Sequence, residues 1–465
     1  MTGRRGFEAL NGVSPPVPAE RIGRILRSAL QAVDPDRLVR NALRRRGDQL
    51  TFPDGSSVSL TEIKQVFLIG IGKAALPMTA AAAEILHGVS YRGLAVIKEN
   101  TPQEVSREIP GLPILSAGHP QPDQTSLQAG RTILQILEET GPEDLVLMLL
   151  SGGGSSLVCL PADPLTLADL QRVNSLLLES GAAIQEINTV RKHLSRVKGG
   201  QLGRAAHPAR LVTLVLSDVI GDPLSAVASG PTVPDPTTYQ DALEVVQVHR
   251  LESKLPEAVL KRLRSGAAGH HPETPKPGDP WTGHGRTFVI GNNRTAAQAA
   301  RERARREGFQ AALLTTRLGG EARQAGLFCA AVLHEMALFG SPLSRPGCLI
   351  AGGETTVTIL DPERAGLGGR GLEAALAAVP ALAGLDRAVL ITLATDGEDG
   401  PTDAAGAVVT GKTLSRAREL GLDPERHLEN HNAYTFFQAL GDLIRIGPTR
   451  TNVNDLWFLL TYQED

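Results

Sequence analysis

The triple glycine at residues 152–154 is the clearest chemical feature of the sequence. It follows an apolar run at 145–150 (LVLMLL), and it is flanked by serines on both sides. Glycines allow backbone N–H groups to converge on one point, and serine hydroxyls add donors without bulk. A helix N-terminus behind the loop would contribute partial positive charge. We therefore predict an anion cradle, most simply for phosphate. Its members are Ser151, Gly152, Gly153, Gly154, Ser155 and Ser156.

Two other glycine-rich segments match nucleotide-binding patterns less well. Residues 68–75 (LIGIGKAA) fit the G-x-G-x-x-A dinucleotide fingerprint, but the candidate ribose acid, Glu99, lies 29 residues beyond Gly70 instead of about 20. Lys73 also places a cation in this loop, where it would instead hold a carboxylate or phosphate. Residues 406–413 (GAVVTGKT) match the Walker A letters, yet two valines occupy a loop that favours glycine. We predict no P-loop there.

A basic segment and a carboxylate follow the triple glycine along the chain. Residues 184–200 (IQEINTVRKHLSRVKGG) are predicted as a helix that places Arg191, Ser195 and Lys198 on one side, with Asn188 a turn earlier. Such a run is either a phosphate-binding face or a solvated surface. Asp218 then follows the next candidate strand directly. A carboxylate at a strand end beside a phosphate cradle suits a Mg²⁺–phosphate site.

The second half of the chain carries its own polar motifs. Glu354 follows a glycine pair, and Gly368-Gly369-Arg370 opens a predicted helix, where a guanidinium beside free amides suits phosphate or carboxylate. The loop at 394–407 (ATDGEDGPTDAAGA) contains Asp396 but lacks the twelfth-position glutamate of a calcium loop. A metal site and a surface acid cluster both remain open here. The closing GPTRTNVNDLW holds Asn454 in an unusually polar setting.

The elements that must position these residues alternate between apolar runs and helical patterns, which is typical of βαβ units and a mainly parallel sheet. Helices are expected at 165–178 and 296–306. The Gly-, Pro- and His-rich segment 265–285 is predicted to be an exposed linker and the domain junction. Strands are expected at 66–69, 94–97, 145–150, 211–216, 288–290, 311–315 and 388–393.

Composition bounds the class of protein. A chain of 465 residues with 42% hydrophobic and 21% charged residues suggests two or three globular domains. The 47 basic and 50 acidic residues give a net charge of −3, which argues against nucleic-acid and membrane-surface binders. No secretory signal or membrane span is predicted, so a cytoplasmic location is expected. Three widely spaced cysteines form no C-x-x-C pair and are expected in the core.

Taken together, the motifs resemble those of the class II glycerate kinases, the family that carries a MOFRL domain on its C-terminal side. The likeness runs from about residue 66 to residue 457, and its motifs occur in one order. They are GIGKAA, SAGHPQPD, SGGGSSL, INTVRKHLSRVKGG, LSDVIGDPL with ASGPTVPD, GGETTVT, GGR, TDGEDGPTDAAGA and GPTRTNVNDLW. The resemblance implies ATP- and Mg²⁺-dependent phosphorylation of D-glycerate, usually at the 2-hydroxyl, in a cleft between two α/β domains. We expect a Rossmann-like three-layer sandwich with a mainly parallel sheet at 1–285 and a MOFRL-type α/β domain at 286–465, with the boundary between 240 and 285.

On this resemblance, each motif receives an expected role. The cradle at 151–156 and Lys198 would bind nucleotide phosphates, while Lys73 and Arg370 would approach the transferring phosphoryl group or the glycerate carboxylate from the two domains. Asp218 would bind Mg²⁺ or accept the hydroxyl proton, and Asp396 is a second metal candidate. The expected substrate contacts are Arg191, Glu354 and Asn454.

The sequence departs from the family pattern at two places. GGR is followed by Gly371-Leu372 instead of Asn-Gln, and Arg450 stands where the closing G-P-T-G-T-N motif has its second glycine. We expect these changes to bear on substrate preference more than on reaction class. Two other functions remain: an NAD(P)H-dependent hydroxypyruvate reductase, using Gly70, Gly72 and Ala75, and a non-catalytic sugar-acid sensor. A homodimer is compatible with the sequence.

Overall fold

The computed structural model describes residues 7–12, 16–99 and 109–463. The strands are β1 (Arg44–Arg46), β2 (Gln49–Thr51), β3 (Ser57–Ser59), β4 (Val66–Ile71), β5 (Tyr91–Lys98), β6 (Ile114–Ala117), β7 (Leu145–Ser151), β8 (Arg210–Leu216), β9 (Gly285–Gly291), β10 (Gln310–Leu318), β11 (Gly347–Gly353), β12 (Ala388–Ala394), β13 (Gly406–Thr410), β14 (Leu443–Ile444) and β15 (Asp455–Thr461). The helices are α1 (Pro16–Ala32), α2 (Pro35–Ala42), α3 (Ala75–Ile85), α4 (Gln124–Glu138), α5 (Gly154–Leu157), α6 (Leu167–Glu179), α7 (Ile184–His193), α8 (Gln201–Ala205), α9 (Tyr239–Val248), α10 (Glu257–Ala267), α11 (Asn293–Arg306), α12 (Ala322–Phe339), α13 (Arg370–Ala381), α14 (Thr413–Glu419), α15 (Pro424–Glu429) and α16 (Ala433–Leu440).

The chain forms two compact units, and one of them is discontinuous. Residues 35–290 form the first unit, and residues 1–34 together with 291–465 form the second. The predicted assignment of the N-terminal residues to the first domain was therefore wrong. Helix α1 buries Ile22, Ile25 and Leu26, and it packs against α11. Arg24 donates from Nε and Nη2 to Glu307 at 2.8 and 2.6 Å, which fixes α1 within the second unit.

The unit 35–290 is built on a six-stranded sheet in the order β6-β5-β4-β7-β8-β9. The pairs from β6 to β8 are parallel. Alternate residues face opposite sides of a strand, so Phe67, Ile69 and Ile71 pack with α4 in the core, while Gly70 on the other face meets α3. Helices thus cover both faces, which gives the three-layer sandwich expected from the sequence. Because the chain leaves β4 for β5 on one side and later returns to β7 on the other, the sheet has a switch point between β4 and β7.

The second unit is built on a mixed six-stranded sheet in the order β10-β11-β15-β12-β13-β14. Only β10 and β11 pair in parallel, and the other neighbours are antiparallel. The last strand, β15, is inserted between β11 and β12 and is buried along its whole length, with Trp457 only 1% exposed. Helices α12, α13 and α16 contribute buried side chains to the core on one face of this sheet.

Every predicted strand is present, and the segments 406–413 and 265–285 also have defined structure. The Walker-like letters at 406–413 begin with strand β13, in which Ala407, Val408 and Val409 are buried, so no phosphate loop forms there, as expected. The segment 265–285 is not an exposed linker, because Thr274 is buried and its hydroxyl donates to Asp235 at 3.0 Å. The segment lies within the unit 35–290.

All three cysteines are buried and free. Among the described helices, none is both long and apolar enough to cross a bilayer.

Candidate active site

The loops that follow β4 and β7 are joined by backbone contacts at the switch point. The N–H of Ala74 donates to the Ser151 hydroxyl at 2.9 Å, and the N–H of Lys73 donates to the carbonyl of Gly152 at 2.9 Å. Gly72 has a φ of +127°, and a Cβ atom there would overlap Ser151. The fingerprint-like glycines therefore serve close packing of the two loops. Residues 151–156 are called the glycine loop below.

Three polar side chains lie against two consecutive residues of the glycine loop. A Cβ atom added to Gly152 would overlap the carboxylate of Asp218, which follows the neighbouring strand β8. A Cβ atom on Gly153 would lie 3.1 Å from His119 Cδ2 and 3.2 Å from Lys73 Cγ. The structure thus brings together Lys73, Asp218 and the loop at the carboxyl edge of the parallel strands, where α/β sheets place their ligands.

His119 was not assigned a role from the sequence, although it lies within the SAGHPQPD motif. It stands two residues beyond the end of β6, at the same carboxyl edge, and that position was the available indication. Its side chain is half-buried and lies near two cations. Burial, together with the charges of Lys73 and Lys98, lowers the pKa of His119 to about 4, so the imidazole is neutral near pH 7.

A chain of hydroxyl and amide groups supports the far end of the glycine loop. The hydroxyls of Ser155 and Ser229 lie 2.9 Å apart, and the Ser229 hydroxyl donates to Asn188 Oδ1 at 2.8 Å. Ser229 is fully buried and has a φ of +60°, as does the neighbouring Ala228 at +50°. Non-glycine residues rarely take this conformation, and its cost is commonly tolerated at functional sites.

Lys198 forms hydrogen bonds with the backbone of the glycine loop and of the residues that follow it. Its ammonium group donates to the carbonyl of Ser155 and, at 3.1 Å, to the carbonyl of Val158. Burial lowers the pKa of Lys198 to about 8. The predicted helix over 184–200 was wrong in extent, since α7 ends at His193 and Lys198 lies in the turn that follows. Just after the end of α7, Ser195 forms a β-bridge with Pro161.

A cavity of 260 Å³ opens beside the glycine loop, within the same unit. Arg191 lines it, with its Nε donating to Asn174 Oδ1 at 2.7 Å, and burial lowers the pKa of this guanidinium. His119 and Lys198 also line it, and none of the described lining residues is a carboxylate. Apolar side chains, among them Leu170 and Val173, form much of the remaining wall. The cavity therefore offers cationic donors in apolar surroundings, which suits a small organic anion.

In the second unit, strand register gathers carboxylates around Arg370. Asp455, at the start of β15, pairs with Gly353 on one side and with Ala394 on the other. This register places Asp455 beside Glu354 and close to Asp396, because both residues come just after those strand partners. Arg370 donates to Asp455 at 2.7 Å from Nε and 3.3 Å from Nη2, and its Nη1 donates to Glu354.

The opposing charges dominate the electrostatics at Arg370. Burial acts to lower the pKa of its guanidinium, but Asp455 and Glu354 outweigh burial and raise it. The amides expected to be free at the start of α13 are not free. Asp399 accepts from the N–H of Gly371 at 3.2 Å and from the N–H of Leu372 at 2.6 Å, since a buried carboxylate satisfies the helix terminus.

The remaining predicted residues of this unit differ in exposure. Glu354 is 45% exposed, whereas Asn454 is 4% exposed and has a φ of +65°. Leu372, one of the two departures after GGR, points into the core and is fully buried. Within residues 7–12, 16–99 and 109–463, no cluster of three or more His, Cys, Asp or Glu side chains is arranged to hold a metal ion.

Comparisons with known proteins agree with this architecture. The family model described as "Domain of unknown function (DUF4147)" matches residues 21–264, and the MOFRL family model matches residues 347–455. A glycerate 2-kinase of Pyrococcus horikoshii is 42% identical over 434 residues, which cover 93% of this chain and 95% of that protein. A putative hydroxypyruvate reductase of Agrobacterium vitis is 40% identical over 94% of this chain and 93% of its own length.

The crystal structure of a glycerate kinase from Thermotoga maritima aligns with a TM-score of 0.81 at 39% identity, covering 94% of this chain and 97% of that one. The fold and these matches define an α/β enzyme of the kinase class. The chain belongs to the class II glycerate kinase family, and the resemblance drawn from its motifs is confirmed.

Proposed function

We propose that this protein transfers the γ-phosphoryl group of ATP to the 2-hydroxyl of D-glycerate, giving 2-phosphoglycerate and ADP with Mg²⁺ bound. One observation carries the proposal. A cation (Lys73), a carboxylate (Asp218) and a glycine-rich loop meet at the switch point of a parallel sheet. Phosphoryl transfer needs this combination of positioning and charge neutralisation.

The reaction assigns a separate task to each group. The glycine loop holds phosphate oxygens, with Lys198 fixing the loop backbone from below. The 2-hydroxyl oxygen forms a bond to the γ-phosphorus as the bond to the ADP oxygen breaks, and Asp218 takes the hydroxyl proton. Lys73 neutralises charge on the transferring group, and Arg191 binds the glycerate carboxylate from its cavity.

Arg370, in the second unit, is held in place by Asp455 and Glu354. We propose that its guanidinium stabilises the phosphoryl group or the carboxylate, and that Glu354 and Asn454 contact substrate. Because Asp455 and Glu354 both accept hydrogen bonds from this guanidinium, its orientation is fixed before any ligand binds. Such preorganisation lowers the cost of stabilising charge that develops in the transition state.

The residues present fit a magnesium ion. Mg²⁺ commonly takes only one or two protein carboxylates and completes its shell with water and phosphate oxygens, so a three-carboxylate cluster is not required. As the alternative to taking the hydroxyl proton, Asp218, packed against the glycine loop, would hold the ion, and Asp396 is the second candidate for that task. When bound, the ion neutralises phosphate charge.

The structure offers less support for hydroxypyruvate reduction, the function named for the Agrobacterium relative. A dinucleotide would need the amides and open glycines of the 70–75 loop. There the N–H groups of Lys73 and Ala74 already bond to Gly152 and Ser151, and the space beside Gly72 is filled.

The test is an assay of the purified protein with D-glycerate, ATP and Mg²⁺. We expect ADP release that depends on glycerate, with 2-phosphoglycerate identified by phosphorus NMR. Asp218→Asn should abolish turnover while leaving the circular dichroism spectrum unchanged, and Asp222→Asn serves as the matched control. Oxidation of NADH or NADPH by hydroxypyruvate, without ADP release from glycerate, would overturn the proposal.

A further inference from the structure

His119 is the one polar side chain beside Gly153 whose role the proposed mechanism leaves unexplained. It lies between the glycine loop and the Arg191 cavity, since it touches the position a Gly153 Cβ would take and also lines that cavity. Its ring nitrogens have no hydrogen-bond partner among residues 7–12, 16–99 and 109–463. A half-buried imidazole without such a partner is available to bind a ligand.

Asp218 and His119 stand side by side along the loop. The carboxylate of Asp218 lies against Gly152, and the imidazole of His119 lies against the next residue, Gly153. The loop therefore has one acceptor side chain against each of two consecutive residues, and two such groups can serve two hydroxyl groups of one small molecule.

The charges around the cavity set the direction in which such a molecule binds. Among the described residues that line it, Arg191 and Lys198 are the cations and none is a carboxylate, so the acid end of a substrate is drawn inward. The hydroxyl end then lies toward His119 and the glycine loop, where Asp218 packs against Gly152. A neutral imidazole accepts a hydrogen bond from a hydroxyl group without adding a further positive charge beside Lys73.

We propose that His119 binds the hydroxyl group that is not phosphorylated, so that this site selects small carboxylic acids with hydroxyl groups on adjacent carbons. The proposal rests on the function proposed above and names its substrate class. Asp218 receives the reacting hydroxyl, Arg191 the carboxylate and His119 the remaining hydroxyl. A substrate lacking that last group should lose one contact and bind less productively.

The experiment compares D-glycerate with D-lactate, which keeps the 2-hydroxyl but lacks the 3-hydroxyl. We measure kcat/KM for both acids in the wild type, H119A and H119N, with H87A, an exposed histidine of the same unit, as control. H119A should lower kcat/KM for D-glycerate by roughly tenfold, the effect of one lost hydrogen bond, and leave D-lactate within twofold. H119N, which can still accept a hydrogen bond, should recover part of the loss.

Equal losses for both acids would show that His119 supports the loop and would overturn the proposal, as would an unchanged value for D-glycerate. If D-lactate turns over too slowly, its inhibition constant against D-glycerate provides the same comparison, and H119A should leave it unchanged. A wild-type protein that does not phosphorylate D-glycerate at all would refute the proposed function itself, which is a different result.

Discussion

Arg370 donates hydrogen bonds to both carboxylate oxygens of Asp455, at 2.7 and 3.3 Å. It is the first residue of α13, whose next two N–H groups donate to Asp399. The Asp455 side chain is 4% exposed, whereas that of Arg370 is 28% exposed. The pair therefore presents a guanidinium whose counter-charge is buried behind it. Removal of Arg370 would leave a buried carboxylate without its partner, at a cost of about 3–5 kcal/mol.

We expect Arg370→Ala to lose both activity and stability. Arg370→Lys therefore separates the catalytic role of Arg370 from its structural role more clearly. Lysine retains the charge opposite Asp455 but lacks the planar fork. An arginine clamp on a transferring phosphoryl group contributes roughly 10³–10⁵ in rate, so we expect kcat to fall at least a hundredfold in this variant. Urea unfolding should show a much smaller loss of stability than in the alanine variant. Arg323→Lys, which alters an ion pair with Glu373 in the same unit, is the control. Near-normal kcat in Arg370→Lys would remove Arg370 from the mechanism.

Gly153→Ala tests the glycine loop against a control with the same backbone strain. Gly153 and Gly55 both have a φ of +82°, but only Gly153 has side chains within contact distance of an added Cβ, at 3.1 Å from His119 and 3.2 Å from Lys73. Both alanine variants should lose about 1–2 kcal/mol of unfolding free energy. Only Gly153→Ala should also lose kcat, by tenfold or more, in a steady-state assay. Equal kcat in the two variants would mean that the loop does not touch the reacting groups.

The buried ammonium of Lys198 predicts an alkaline limb in the pH profile. Burial lowers the pKa of Lys198 to about 8, so the group is charged below that pH and neutral above it. If catalysis requires the positive charge of Lys198 beside the glycine loop, kcat should fall about tenfold per pH unit above pH 8. Lys198→Arg should abolish this limb, while Lys192→Arg, at a buried lysine bonded to Asp235, should retain it. A limb that survives Lys198→Arg belongs to another group.

The sequence predicts the elements and the local loops well, but it does not predict contacts set by register. Lys73, the glycine loop and Asp218 all follow apolar runs, and parallel strands bring their carboxyl ends to one edge without further information. Asp455 is different, because it meets Glu354 and Arg370 only through the pairing of β15 between β11 and β12. Its partners there, Gly353 and Ala394, lie 102 and 61 residues earlier in the chain. His119 follows β6, a short strand that no clear apolar run in the sequence indicates. The sequence alone therefore did not assign His119 to the site.

Asp399 predicts an unusual dependence of stability on pH. Burial raises its pKa from 3.8 to about 6, although the N–H groups of Leu372 and Gly371 and the charge of Arg370 act in the opposite direction. Between pH 4 and pH 6 the native chain therefore binds this proton more readily than the unfolded chain, and the contribution of Asp399 to the unfolding free energy falls as pH rises. Asp399→Asn removes that titration and weakens the cap of α13. We expect its destabilisation, measured by urea unfolding, to be larger at pH 4.5 than at pH 7.5. Asp386→Asn, at an exposed site, should show no such difference, and a pH-independent loss in Asp399→Asn would contradict the assignment.

Arg450 departs from the family motif at a position where the backbone conformation favours glycine. Its φ is +66°, in the left-handed region, where the related G-P-T-G-T-N motif has a glycine. An L-residue pays roughly 1–2 kcal/mol for this conformation, and glycine loses about 0.5–1 kcal/mol through the entropy of the unfolded chain. Arg450→Gly should therefore stabilise the protein by about 0.5–1 kcal/mol in urea unfolding. Arg450→Ala keeps the Cβ atom and hence the strain, so it should bring no gain. If the alanine variant is stabilised as much as the glycine variant, the cost at this position comes from the guanidinium and not from the backbone.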